Sequence, residues 1–92
     1  MSSKQTEAVA TIGVTAKLFA GVAEAAGRRE LSISLEPGAT VDTAFAAMAS
    51  EHPALAPMRD TLRFAVNREF AEADRTLADG DELALIPPVS GG

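Results

Sequence analysis

Glu30-Leu31-Ser32-Ile33-Ser34-Leu35-Glu36-Pro37-Gly38-Ala39-Thr40-Val41-Asp42-Thr43-Ala44-Phe45-Ala46-Ala47-Met48 changes its period half-way along. Up to Glu36, apolar Leu31, Ile33 and Leu35 alternate with Glu30, Ser32, Ser34 and Glu36, the period of a strand with one buried face. Pro37-Gly38 then predicts a turn. From Thr40 the apolar spacing lengthens, and Val41, Ala44, Phe45 and Met48 fall on one face of a helix. Thr40 suits the cap of that helix and Asp42 its first turn, where a carboxylate meets the positive end of the helix dipole. The alanines favour helix and let it lie close to a neighbour. An amphipathic strand followed at once by an amphipathic helix predicts a helix stacked on a sheet.

Working upstream, Val14, Ala16 and Leu18 alternate with Thr15, Lys17 and Phe19 and predict another strand. Gly21–Ala26 favours a short helical turn ended by Gly27. Residues 1–12 are polar, small and aperiodic, and are expected to form a flexible N-terminal extension. Downstream, the helix is expected to end before Pro53, and residues 53–60 are expected to be irregular, with at most a single short turn. Leu62, Phe64 and Val66 alternate with Arg63 and Ala65 in a third strand, and Asn67 suits a positive φ after it. Phe70 lies in a short fourth strand. Asp79-Gly80-Asp81 is a turn signal, and Leu83 and Leu85 alternate with Ala84 and Ile86 in a last strand that runs into Pro87-Pro88. The fold class is α+β, with a mixed sheet of about five strands on one main helix. The organisation is 1–12 extension, 13–86 domain and 87–92 extended tail.

Composition narrows the functions. Nineteen of the 92 residues are Ala, and the larger Val, Ile, Leu, Met and Phe number 24, enough for one two-layer core. With no Cys, disulfides and thiolate chemistry on side chains are excluded. His52 stands alone at an expected helix end and reads as structural, so no metal site is expected. No bilayer-length apolar run or signal peptide is seen, which points to a cytoplasmic protein. The net charge of −5 argues against nucleic acid. It is uneven: residues 1–46 carry −1 and residues 47–92 carry −4. That fits either a basic partner steered to the second half or solubility alone.

The sequence closes on Pro87-Pro88-Val89-Ser90-Gly91-Gly92. Prolines stiffen such a segment, and glycines let it pass close to another surface. The expectation is a carboxylate at Gly92 carried on a thin probe that enters another protein's active site. Phe19 and Ile86 are out of phase with the buried sets of their strands, and Phe70 lies near a strand edge. These three residues either form an apolar docking patch or fill the edge of the core.

The strand order resembles the β-grasp of ubiquitin, which implies that the last strand lies beside the first at the sheet centre. Ala65-Val66-Asn67, the run Leu77–Gly92 and the opening Lys17-Leu18-Phe19-Ala20 together resemble the family of molybdopterin synthase small subunits. The likeness covers roughly residues 13–92. It implies a sulfur carrier with no bound cofactor. A ubiquitin-activating-type adenylyltransferase uses ATP to adenylate the Gly92 carboxylate, and a sulfur donor protein then leaves a C-terminal thiocarboxylate. Pro87, Pro88, Val89, Ser90 and Gly91 enter the large subunit of the synthase, expected in a heterotetramer. There sulfur passes to precursor Z (cyclic pyranopterin monophosphate). The resemblance also implies that apolar side chains at Phe19, Phe70 and Ile86 contact the large subunit. Other readings stay open: a sulfur carrier for thiamine, cysteine or tRNA thiolation, a ubiquitin-like modifier joined to lysines, or a binding module with an incidental diglycine.

Overall fold

The computed structural model describes residues 10–88. Most of the expected extension, and Val89, Ser90, Gly91 and Gly92 of the expected tail, lie outside the described residues. Five strands form one mixed sheet in the order β2-β1-β5-β3-β4. They are β1 (Ile12–Leu18), β2 (Glu30–Leu35), β3 (Arg63–Val66), β4 (Glu69–Ala71) and β5 (Glu82–Ile86). Helix α1 (Ala20–Ala26) joins β1 to β2, and α2 (Val41–Glu51) follows β2. Strand β5 runs parallel to β1, with Ala16 beside Leu83 and Leu18 beside Leu85. On its other side β5 runs antiparallel to β3, with Phe64 beside Leu85. This is the ubiquitin-like β-grasp.

The period-two reading holds where one face is buried. Val14, Ala16 and Leu18 of β1 and Leu83 and Leu85 of β5 point into the core. Strand β1 takes in Ile12, opposite Leu35, a residue assigned above to the extension. Helix α1 ends at Gly27, whose φ of 74° lets its N–H donate to the Ala23 carbonyl at 2.8 Å.

Helix α2 starts where Thr40 predicts. The Thr43 N–H donates to Thr40 Oγ1 at 3.2 Å. The Val41 and Asp42 N–H groups donate to the carbonyls of Arg75 and Ala73. Three donors that a helix start leaves orphaned are thereby satisfied. Val41, Ala44, Phe45 and Met48 pack inward, and the Phe45 and Phe64 rings meet edge to face, 6.1 Å between centroids.

Residues 53–60 are more regular than expected. A 3-10 helix spans Pro53–Thr61 and buries Leu55 completely. Pro53 opens it without sacrificing a needed donor. Arg59 holds this segment to α2, its Nη2 donating to Asp42 Oδ1 at 2.8 Å. His52 sits at the end of α2, its backbone N–H donating to the Met48 carbonyl at 2.8 Å.

Candidate functional site: an apolar recess beside the last strand

The outer face of the sheet, opposite α2, carries the residues that alternate away from the core. On β5 these are Glu82, Ala84 and Ile86. Ala65 of β3 lies beside Ala84, and Phe70 of β4 lies beside Ala65. Phe19 follows Leu18, the neighbour of Leu85. The register therefore brings Phe19, Phe70 and Ile86 round one recess of about 300 Å³, floored by Ala65 and Ala84 and rimmed by Arg68 and Glu82. Small side chains at the centre and large ones at the rim make the hollow.

Phe19 is 49% exposed and Phe70 70% exposed. Most large apolar groups on this chain are buried, so two exposed phenylalanines on one face form an unusual apolar surface. Ile86 is half-buried. Phe70 is partly held by Arg63, whose guanidinium carbon stands 5.7 Å from the ring centroid. At Ala20, just past Phe19, φ is 48°, a sharp turn that a non-glycine residue adopts at some cost. It lets the chain leave the sheet immediately after Phe19.

A hydrogen-bond network fixes the start of β5. Asn67 Nδ2 donates to Asp81 Oδ1 at 2.9 Å, and the Glu82 N–H donates to Asn67 Oδ1 at 3.0 Å. The Ala78 N–H donates to Asp81 Oδ2 at 2.8 Å. Asp79 Oδ1 accepts from the Gly13 N–H at 2.7 Å, tying the same turn to β1. Asn67 and Arg68 have φ of 51° and 74°, a two-residue hairpin with both central residues left-handed. That turn places Arg68 at the recess rim.

Pro87 and Pro88 leave β5 at the Ile86 end of the recess. The expected entry residues Val89, Ser90 and Gly91, and the expected reacting residue Gly92, lie outside the described residues. Among the described residues, no cluster of three His, Asp or Glu side chains is placed to hold a metal ion, and no helix is long and apolar enough to cross a membrane.

Sequence reasoning named the three large apolar residues. It missed Ala65, Ala84, Arg63, Arg68 and Glu82. The alternation Leu83-Ala84-Leu85 was a usable signal for Ala84. Arg68 had none, because arginine is not a residue that announces a positive φ.

If Phe70 docks a partner, Phe70→Ala will weaken that partner's binding by about 2 kcal/mol. At 70% exposure it will leave the melting temperature nearly unchanged. Calorimetric titration and thermal unfolding of the same sample check both halves. Unchanged affinity with a large fall in melting temperature would make Phe70 a core residue instead.

Comparison with known proteins agrees with the fold. The ThiS family model matches residues 16–92. Small archaeal modifier protein 1 of Haloferax volcanii is 42% identical over 84 residues, 83% of this chain and 97% of that protein. The molybdopterin synthase sulfur carrier subunit of Chlamydomonas reinhardtii is 41% identical over 76 residues, 80% of this chain and 92% of that protein. The crystal structure of the Haloferax modifier superposes with a TM-score of 0.80 at 40% identity, covering 87% of this chain and 99% of that one.

Proposed function

The chain belongs to the ThiS family, and on that premise we propose that it is the sulfur-carrier subunit of a molybdopterin synthase. Relatives at 41% and 39% identity bear that name. The structural observation that carries the reading is that β5 serves two purposes at once. Its inner face, Leu83 and Leu85, is locked in the core, its outer face floors the apolar recess, and the same strand leads into Pro87 and Pro88. A partner seated on the recess therefore receives the tail from a rigid base, at a distance set by a few residues.

The chemistry asked of the tail needs no side chain. The Gly92 carboxylate attacks the α-phosphorus of ATP on an activating enzyme and releases pyrophosphate. The acyl-adenylate has a good leaving group, which the free carboxylate lacks. Hydrosulfide delivered by a donor protein then attacks the acyl carbon as the bond to AMP breaks, leaving the thiocarboxylate, a soft nucleophile that attacks the pterin precursor on the large subunit; water then cleaves the acyl–sulfur bond and restores the Gly92 carboxylate. This chain binds none of these small molecules itself. It is the substrate of one enzyme and a subunit of another, and the catalytic acids and bases belong to its partners.

A second reading is favoured by the 42% relative named as a modifier. The same acyl-adenylate, attacked by a lysine amine instead of sulfur, gives an isopeptide. The two readings share every residue described above and differ only in the acceptor.

Intact-protein mass spectrometry separates them after incubation with ATP, a sulfur source and the activating enzyme. The expected result is replacement of one oxygen by sulfur, mapped to Gly92, and its loss on adding the large subunit and precursor. Adducts on other proteins' lysines would favour the modifier, and no change in mass would overturn both. Gly91→Ala is expected to slow the discharge step while leaving the unfolding curve unchanged, since a methyl group there crowds the passage into the large subunit. Charging and discharge at the wild-type rate would remove the narrow-channel argument.

A further inference from the structure

The opposite edge of the molecule holds a second feature that the tail chemistry does not use. Strand β2 closes the sheet on that side, with no described residue paired beyond it. The Leu18 N–H donates to the Arg29 carbonyl at 2.9 Å, and β1 and β2 keep an unbroken antiparallel register from Ile12 and Leu35 to Lys17 and Glu30. Alternation of hydrogen-bonded pairs then directs the backbone groups of Leu31, Ile33 and Leu35 at β1, and those of Glu30, Ser32 and Ser34 outward. Edges of this kind are commonly protected by a charge, a proline or a bulge. This one has no proline or bulge, and its only charge is that of Glu30 at the start of the strand.

Beside the outward-facing backbone lies a recess of about 300 Å³ between β2 and α2, lined by Leu31, Ile33, Ala47, Met48, Glu51 and His52 among others. Ile33 lies on the core-side face of β2 yet is only half-buried, because nothing beyond the edge covers it. Glu51 is exposed and makes no ion pair among the described residues.

We propose that this edge is a docking site for an extended peptide segment of a partner, added as a sixth strand beside β2. The segment has alternating apolar residues that enter the β2–α2 recess and a Lys or Arg that reaches Glu51. Backbone pairing to Glu30, Ser32 and Ser34 supplies affinity, and the recess with its carboxylate supplies selection. A second copy fits poorly. Two-fold pairing of β2 edges would bring together two chains that each carry −5. The β2–α2 recess opens on the helix side of the sheet and the Phe19–Phe70–Ile86 recess on the other face, although Glu30 at the start of β2 lines a hollow shared with Phe19; the proposal uses no residue of the tail.

The test is an NMR titration of the 15N-labelled full chain with a synthetic blocked peptide, Ser-Val-Ser-Val-Ser-Lys-Ser. A version with Glu in place of Lys is the control. Saturable shifts are expected at residues 30–34 and 47–52, with the Lys peptide binding about two- to fivefold more tightly. Ser32→Pro removes an outward N–H that β1 does not use, which an edge strand tolerates. It should weaken binding at least about tenfold and leave thiocarboxylation of Gly92 unchanged. Should Ser32→Pro lose its dispersed spectrum, Glu51→Lys at the exposed helix end carries the test, by reversing the preference between the two peptides. No saturable shift at residues 30–34, or shifts confined to Phe19, Phe70 and Ile86, would overturn the proposal. So would concentration-dependent shifts at residues 30–34 without peptide, which would assign the edge to a second copy.

Discussion

Leu83→Ala is expected to lower the unfolding free energy by about 2–5 kcal/mol. Leu83 is fully buried and sits on the strand that lies between β1 and β3, beside Ala16 and Val66. Alanine there removes the transfer energy of the lost carbons and leaves a cavity under the centre of the sheet, where no single neighbour can move in without disturbing two ladders. A domain of this size has a total stability of roughly 5–15 kcal/mol, so the loss is a large share of the whole. Urea unfolding followed by circular dichroism should show a lower midpoint with an unchanged slope. A loss under about 1 kcal/mol would mean that the core collapses onto the gap far better than its packing implies.

Ala84→Gln, one residue further on, is expected to have the opposite character. Ala84 faces the outer recess and is only partly covered. A glutamine side chain there fills the floor and puts an amide where a partner's apolar group would sit. Under the proposed function, binding to the large subunit should weaken by at least about 2 kcal/mol, the scale of a central interface residue. The unfolding free energy should stay within about 0.5 kcal/mol of the parent, as for other surface changes. Equal affinity for the altered and parent chains, measured by calorimetry, would remove the recess from the interface. Together the two variants separate the faces of one strand: the first weakens the fold, and the second keeps the fold and weakens binding on the outer face.

The alternation that distinguishes Leu83 from Ala84 was legible without coordinates, because a sheet with one buried face prints a period of two on its strands. The helix cap at Thr40, the αL glycine at Gly27 and the positive φ of Asn67 were legible for a similar reason: each rests on the chemistry of one residue type. Other features depend on contacts between distant segments. The 3-10 helix Pro53–Thr61 has no strong period and carries two prolines; it is held by Leu55 in the core and by Arg59 on Asp42. The floor of the recess needed the register of three strands at once. Asn67 was readable as a turn residue, but its bonds to Asp81 and Glu82 join positions far apart in sequence. Ile12 was read as extension because one apolar residue at a strand end makes no period of its own.

The order β2-β1-β5-β3-β4 has a consequence for synthesis. Without β5 the sheet is two separate hairpins, β1 with β2 and β3 with β4, and neither is large enough to be stable in water alone. The piece that joins them is the latest in chain order of the five described strands, made only after the other four. A nascent chain can form α2 and the local hairpins early. Its sheet closes only after β5 slots between them, a pairing of distant segments that slows folding. Until then Leu83 and Leu85 have nowhere to go, and the recess beside Ala84 does not exist. A chain released before β5 is made therefore lacks the floor of the outer recess that Ala84 provides.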